Sequence, residues 1–452
     1  MKPIFSKIAI ILVACSMVYF TGTEQRYRKT VIEWDIVSYY AYLPGLVIHE
    51  DLSFSFLDKK IPIGSTIWTE RTPDNRRVLK MTCGLSILYA PFFFIAHGIA
   101  LLQPDMYEPN GYSMIYSLFL ILSDIFYTLV GLWVLRNILL RYFSDAIAAL
   151  TILSVYFSTN MLYYSLFEVM SHNYSFCLVT IFIFLIIKWH EKITFANSIL
   201  IGLVFGLITL IRPVDCLVFI IFLFYGISEK KEFLGKLRLF WSHRVQLLII
   251  IICATLIFSI QMAYWKYATG HYLFWSYTTE RFYLTHPEII KGLFGFRKGW
   301  FIYSPIMFFA TIGLLFTVKY ARQFTLGFIF LIIAFSYITF TWWCWWYGGG
   351  LSCRPMIDIY GVFAIGLASF FATVFQLRNL FIKCCIGIVL CFCFIYGTMT
   401  NKQYYLGALH YDSMTFESWK KNFMTTEVRE DYYDALRSPA YDKACKCGTE
   451  EE

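Results

Sequence analysis

The chain has 452 residues, of which 58% are hydrophobic and only 15% charged, against about 25% charged in an ordinary soluble domain. Runs such as "VQLLIIIICATLIFSIQMAYW" exceed the roughly 18–20 apolar residues that cross a bilayer, so a soluble enzyme is excluded and an all-α polytopic membrane protein is expected. The formal charge of +8 does not call for nucleic acid, because Lys and Arg gather beside the apolar runs, where they mark cytoplasmic loops.

Residues 1–22 set Lys2 and Lys7 before and within an apolar core, which puts the N-terminus inside. The "LVAC" in this segment also suits a cleaved signal peptide. A retained first span is favoured, and under either alternative residue 23 onward is external. The loop that follows contains "EWDIVSYYAYLPGLVIHEDLSF". Glu33 and Asp35 in E-x-D spacing can share a divalent cation, or one can act as a general base while the other tunes it. After them Tyr39, Tyr40, Tyr42, Leu43, Leu46 and Val47 suit a helix lying in the membrane interface, at the level where a lipid-linked substrate presents its phosphate.

Lys80 leads the apolar stretch 83–102, which is interrupted by Gly84, Pro91, His97 and Gly98. Laid on the external surface, this stretch extends the first external loop over 23–111. Spans are then expected at about 112–134, 145–164, 173–188, 196–212, 214–228, 245–265, 301–318, 324–341, 357–375 and 383–398, eleven with the first. That count places "RNILLRYFSD", "KWHEK", "EKKEFLGKLR", "KYARQ" and "QLRNLFIK" inside, as the positive-inside tendency asks. The segment 401–452 is left as a short external tail.

Several polar residues then fall on the external side. Glu168 and His172 in "EVMSHNYS" stand at i and i+4, so on a helix they share a face and can form a second acid–base or acceptor-binding pair. Arg297, Lys298 and Arg354 sit at the outer ends of spans, where Arg offers a bidentate fork and Lys a point charge to a lipid phosphate. Arg354 ends "WWCWWYGGGLSCR", whose stacking aromatics and glycine run suit a sugar and a mobile loop. Asp124 lies deep in a span, and Arg212 and Asp215 flank Pro213, which places Arg212 at the outer interface. Most cysteines sit singly in spans as small apolar residues. Cys384-Cys385 and the Cys445-x-Cys447 of the tail make poor metal sites.

The E-x-D of the first external loop, the surface helix behind it, a second surface helix of "KMTCGLSILYAPFF" type and about eleven spans together resemble the GT-C superfamily of integral-membrane glycosyltransferases, over about residues 1–400. The chain looks most like its bacterial mannosyltransferase and aminoarabinose-transferase branches. The resemblance implies a GT-C-like domain over 1–400 and a tail over 401–452. It implies transfer of sugar, with inversion, from a polyprenyl-phosphate carrier to a lipid, glycan or protein acceptor, on the periplasmic face of a bacterial inner membrane. Asp35 would be the general base for the acceptor hydroxyl, with Glu33 its partner or, with Asp35, a ligand to Mg²⁺ or Mn²⁺ if the reaction is metal-dependent. Lys80 would contact the carrier phosphate, with Arg297, Lys298 and Arg354 as candidates for the same task. Lys80 departs from the family's pattern, being followed by "MTCG" instead of a proline pair, and the tail has no lectin-like or peptide-binding domain to identify the acceptor. The rival expectation is a transporter or flippase of a lipid-linked or small anionic substrate. It predicts broken spans with charges near mid-bilayer in related halves; Asp124 suits it, but no matching half is present.

Overall fold

A computed structural model describes residues 3–59 and 66–450; Lys2 lies outside them. The described residues are mostly helical, with one antiparallel hairpin of Thr69–Arg71 (β1) and Arg77–Leu79 (β2). The first half of the chain forms α1 (Phe5–Glu24), α2 (Asp35–Tyr40), α3 (Tyr42–Val47), α4 (Gly84–Leu102), α5 (Met114–Leu139), α6 (Asp145–Phe157), α7 (Met161–Leu166), α8 (Ser171–Glu191), α9 (Phe195–Ile211) and α10 (Phe219–Phe224). The second half forms α11 (Lys230–Ser242), α12 (Arg244–Thr269), α13 (Ile289–Phe294), α14 (Trp300–Tyr303), α15 (Ile306–Tyr320), α16 (Arg322–Phe340), α17 (Tyr360–Phe375), α18 (Leu380–Tyr405), α19 (Phe416–Lys421) and α20 (Tyr441–Cys447).

Eight of these segments are long and apolar enough to cross a membrane: α1, α4, α5, α8, α12, α16, Arg354–Phe375 and α18. The chain is an all-α polytopic membrane protein. The eleven expected spans do not appear as eleven long helices, and the breaks have local causes. The run 145–164 is cut between α6 and α7 because Asn401 of α18 inserts into its ladder, donating to Thr159 O at 2.9 Å and accepting from Tyr163 N at 3.0 Å. Pro213 opens the next short span as a 3-10 turn, Pro213–Val218, and Pro305 separates α14 from α15, since proline lacks the N–H that would continue a helix. Where helices do pack, glycines let backbones meet: α15 crosses α17 at Gly313 and Gly366, and α9 meets α12 at Gly202 and Gly206.

Two expectations for the first loop are corrected. Residues 84–102 run as one unbroken helix through Pro91 and Gly98, so the interruptions that argued for a surface position do not break it. The tyrosine-rich segment is not a single interfacial helix. It folds into α2 and α3, and Tyr39, Tyr40, Tyr42 and Leu43 are buried in the protein, with Tyr40 Oη donating to Gly111 O at 2.5 Å and Tyr42 Oη to Met81 O at 2.7 Å. Phenols satisfied by backbone carbonyls gain more inside the bundle than at a headgroup layer already rich in water.

The helix ends gather at two poles. At one, the short basic loops meet: Arg141 pairs with Glu191, Arg322 with Glu229 at 3.0 Å, and Lys319 Nζ donates to Gln376 Oε1 at 2.6 Å. At the other lie α2, the head of α4, the end of α9 and the long loops after α12 and α16. The tail is not loose over 401–450: α18 continues to Tyr405, Gln403 Nε2 donates to Asn422 O and Thr425 O at 2.5 and 2.7 Å, and Ala444 of α20 packs on Trp345 and Trp346.

Candidate active site

Asp35 is the first residue of α2, whose five following side chains are all buried, so the helix cannot rotate and the carboxylate is held at its N-terminal edge. It accepts from Arg354 Nη2 at 3.0 Å. Arg354 comes from the far end of the chain, where the glycine loop after α16 turns back: Gly348 at φ 65° and Gly350 at φ 150° take conformations that side chains disfavour. Leu351 N donates to Tyr164 Oη at 2.9 Å and fixes this loop against α7, and Arg354 Nη1 closes it by donating to Gly349 O at 3.0 Å.

Lys80 lies between β2 and α4. Its carbonyl accepts from Ser276 Oγ at 2.6 Å, which ties it to the loop after α12, and from the same loop Glu280 Oε1 meets Lys80 Nζ at 2.5 Å. The ammonium also stands 5.3 Å from the centre of the Tyr277 ring, a cation–π distance. The loops after α12 and α16 pair through Tyr283 N to Thr341 O at 2.6 Å and Trp343 N to Arg281 O at 3.2 Å. Their aromatic residues thereby face the same space as the charges.

That space is a cavity of about 300 Å³, at the lower end of the roughly 300–1,000 Å³ of small-ligand pockets. Asp35, Lys80, Arg212, Glu280 and Arg354 line it, three cations and two carboxylates. Tyr39, Trp275, Tyr277, Trp342, Trp343 and Tyr347 supply an aromatic wall, and Tyr441 brings α20 of the tail to the rim. Backbone strain gathers around it. Of the nine non-glycine residues with left-handed φ among the described residues, Tyr347 lines the cavity, Trp34 and Thr278 adjoin the lining residues Asp35 and Tyr277, and Ser352 lies two before Arg354. Each such residue costs on the order of 1–3 kcal/mol, a cost that persists only where surrounding structure over-determines the conformation.

Of the residues given a catalytic or binding role from sequence, Asp35, Lys80 and Arg354 are brought together here, while Glu33, Glu168, His172, Arg297 and Lys298 lie outside the lining. Glu33 is exposed and lies outside the lining. Asp35 faces Arg354 and not Glu33, and among the described residues no group of three or more His, Cys, Asp or Glu side chains is placed to hold a metal ion. Arg297 is occupied by the tail, donating to Asp412 O at 2.7 Å and Arg437 O at 3.1 Å and pairing with Glu450 at 3.0 Å. Lys298 is buried and donates to the carbonyls of Gly350 and Tyr411. Burial, with the charge of Arg354, pulls its ammonium down to about 7.

The helical pairing of Glu168 with His172 is also corrected. α8 begins at Ser171, so Glu168 is in the preceding loop and accepts from Tyr163 Oη at 3.1 Å. Burial holds its carboxyl above the usual range, against the opposing charge of Arg354. His172 turns the other way, and its Nδ1 lies 2.8 Å from Asp358 Oδ1. Glu280, Arg212 and Tyr441 were not assigned to the site from sequence. Glu280 lies 200 residues from its partner Lys80, and no local pattern joins them. No protein-family model matches the chain, and no curated protein matches it.

Proposed function

We propose that the protein is a GT-C-like membrane glycosyltransferase that moves a sugar from a polyprenyl-phosphate carrier to a lipid, glycan or protein acceptor. The observation that carries this reading is the convergence of Asp35, Lys80 and Arg354, from three distant parts of the chain, on one aromatic-walled cavity. The grouping of the short basic loops at the opposite pole supports an external, periplasmic cavity in a bacterial inner membrane.

The chemistry follows from the side chains. The acceptor hydroxyl gives its proton to Asp35, and its oxygen attacks the anomeric carbon. The bond from that carbon to the carrier oxygen breaks, and the electron pair leaves with the polyprenyl phosphate. A single displacement inverts the anomeric carbon. Lys80 and Arg354 offset the charge that builds on the leaving phosphate. In the resting site both cations hold carboxylates, Glu280 and Asp35. Arrival of the phosphate at Arg354 releases Asp35 to act as a base.

Sugar release from labelled polyprenyl-phosphate sugars, in membranes holding matched amounts of wild type and Asp35→Asn, tests this. Turnover by wild type alone is expected. Equal turnover by both would remove Asp35 from the reaction, and transport of the same lipid without turnover would favour the flippase instead.

A further inference from the structure

We infer that Arg212 is the fixed anion-holding group of the cavity, and that the buried pair His172–Asp358 behind it positions its guanidinium. The identity of the anion, the phosphate of a polyprenyl carrier, rests on the transferase reading above; the rest stands on geometry.

The three cations of the cavity are not equivalent. Lys80 and Arg354 each face a carboxylate that lines the same cavity, Glu280 at 2.5 Å and Asp35 at 3.0 Å. A ligand that reaches either must displace part of the wall. Arg212 is braced from behind. Its Nε lies 2.9 Å from Asp358 Oδ2, and Asp358 is fully buried and does not line the cavity. Nη1 reaches only the Oγ of the buried Ser171, at 3.5 Å, and among the described residues Nη2 has no hydrogen-bond partner. The outer edge of the fork is thus open while its orientation is already set, the geometry that suits two oxygens of a phosphate.

The brace has its own support. Asp358 Oδ1 is hydrogen-bonded to His172 Nδ1 at 2.8 Å, which holds the carboxylate while Oδ2 faces Arg212 Nε in a charge contact without hydrogen-bond geometry. Asp215 adds a second fully buried carboxyl beside Asp358. Local sequence puts Arg212 in place: Pro213 ends α9, and Arg212 leaves it in an extended conformation, φ −141° and ψ 105°, which turns the side chain toward the cavity. If these groups served packing alone, apolar side chains of similar volume would do as well or better than a buried ion pair. A buried, oriented carboxylate behind a guanidinium that opens on a cavity has a use when the guanidinium must hold an anion without moving.

The test uses the full chain in detergent and reads the fluorescence of the cavity tryptophans on titration with sugar-free polyprenyl phosphate, neutral polyprenol or inorganic phosphate. Arg212→Ala is expected to weaken polyprenyl-phosphate binding by about 10- to 100-fold, the scale of a lost charged hydrogen-bond pair. Arg212→Lys, which keeps the charge and guards against misfolding, should fall between. Asp358→Asn should weaken binding of the phosphate lipid and leave polyprenol unchanged, a selectivity that a packing role would not produce. Wild-type affinity in folded Arg212→Ala, or equal loss of both lipids in Asp358→Asn, would overturn the assignment. Absence of polyprenyl-phosphate binding by the wild type would overturn it too, and equal affinity for inorganic phosphate would exclude the carrier as the source of the anion. Binding through Arg212 with no sugar transfer by wild type would instead overturn the transferase reading and leave this site standing.

Discussion

Both poles of the bundle are held by ion pairs, but of different kinds. At the basic pole Arg141 pairs with Glu191, and Arg322 with Glu229, and Glu229 is 64% exposed. Pairs of this sort contribute about 0–1 kcal/mol in water. At the cavity pole Asp35 and Arg354 are 319 residues apart, and the Arg354 side chain is only 15% exposed. There the head of α2 meets the glycine loop through Asp35 and Arg354, and the start of α4 meets the loop after α12 through Lys80 and Glu280. The same chemical contact therefore trims a surface at one pole and assembles a site at the other, because burial and chain separation differ.

The largest test of that contrast is Asp35→Asn. It removes a charge and almost no volume, so the chain should fold, and sugar transfer should drop by about 10²- to 10⁴-fold, the usual contribution of a positioned base. Activity at wild-type level would place the cavity pole on the same footing as the basic one. Next, Arg354→Ala should raise the KM for the lipid-linked donor by about 10- to 100-fold, as expected for loss of a charged hydrogen bond. A changed kcat with unchanged KM would show that Arg354 acts on Asp35 alone.

Lys298 marks where a cation of the cavity pole serves structure. Lys298→Met removes the donor to Gly350 and Tyr411 and should lower stability by about 1–3 kcal/mol, seen as faster proteolysis of the tail. Its ammonium is held down near about 7 in the folded chain against 10.5 in the unfolded one. Between those values the unfolded chain binds the extra proton, so docking of the tail should strengthen as pH rises from about 7 toward 10, and Lys298→Met should lose that slope. A smaller effect is expected of Glu280→Gln. Freed from its carboxylate, Lys80 should bind donor phosphate about 2- to 5-fold more tightly, the scale of a partly exposed pair; weaker binding would mean that Glu280 itself contacts the substrate. Arg141→Ala at the basic pole should change stability by less than about 1 kcal/mol and leave transfer unchanged.

Hydropathy is a local property, and the membrane class it indicated held, with eight helices long and apolar enough to cross against eleven expected spans. The membrane class and the helical content follow from runs of about 20 apolar residues, each of which makes its own backbone hydrogen bonds wherever the rest of the chain goes. Asp35 was legible from its E-x-D spacing with Glu33, and Lys80 and Arg354 as charges beside apolar runs. The breaks were partly legible: Pro213 and Pro305 end helices by their own chemistry, whereas the break between α6 and α7 needs Asn401, more than two hundred residues on.

Tertiary structure alone decided which charges meet. In sequence Arg297, Lys298 and Arg354 look alike, yet the tail takes the first, the glycine loop and the tail take the second, and only the third reaches the cavity. Glu168 and His172 keep helical spacing, but the helix starts after Glu168, and His172 pairs with Asp358 across 186 residues. Hydrophobic periodicity carries no information about such pairs, because they are made between side chains whose separation is set by how whole helices pack. The sequence alone determined that this chain crosses a membrane in many helices with charged residues at their ends. Packing alone decided that Asp35, Lys80, Arg212, Glu280 and Arg354 share one cavity, since a buried charge is stable only where folding brings it a partner.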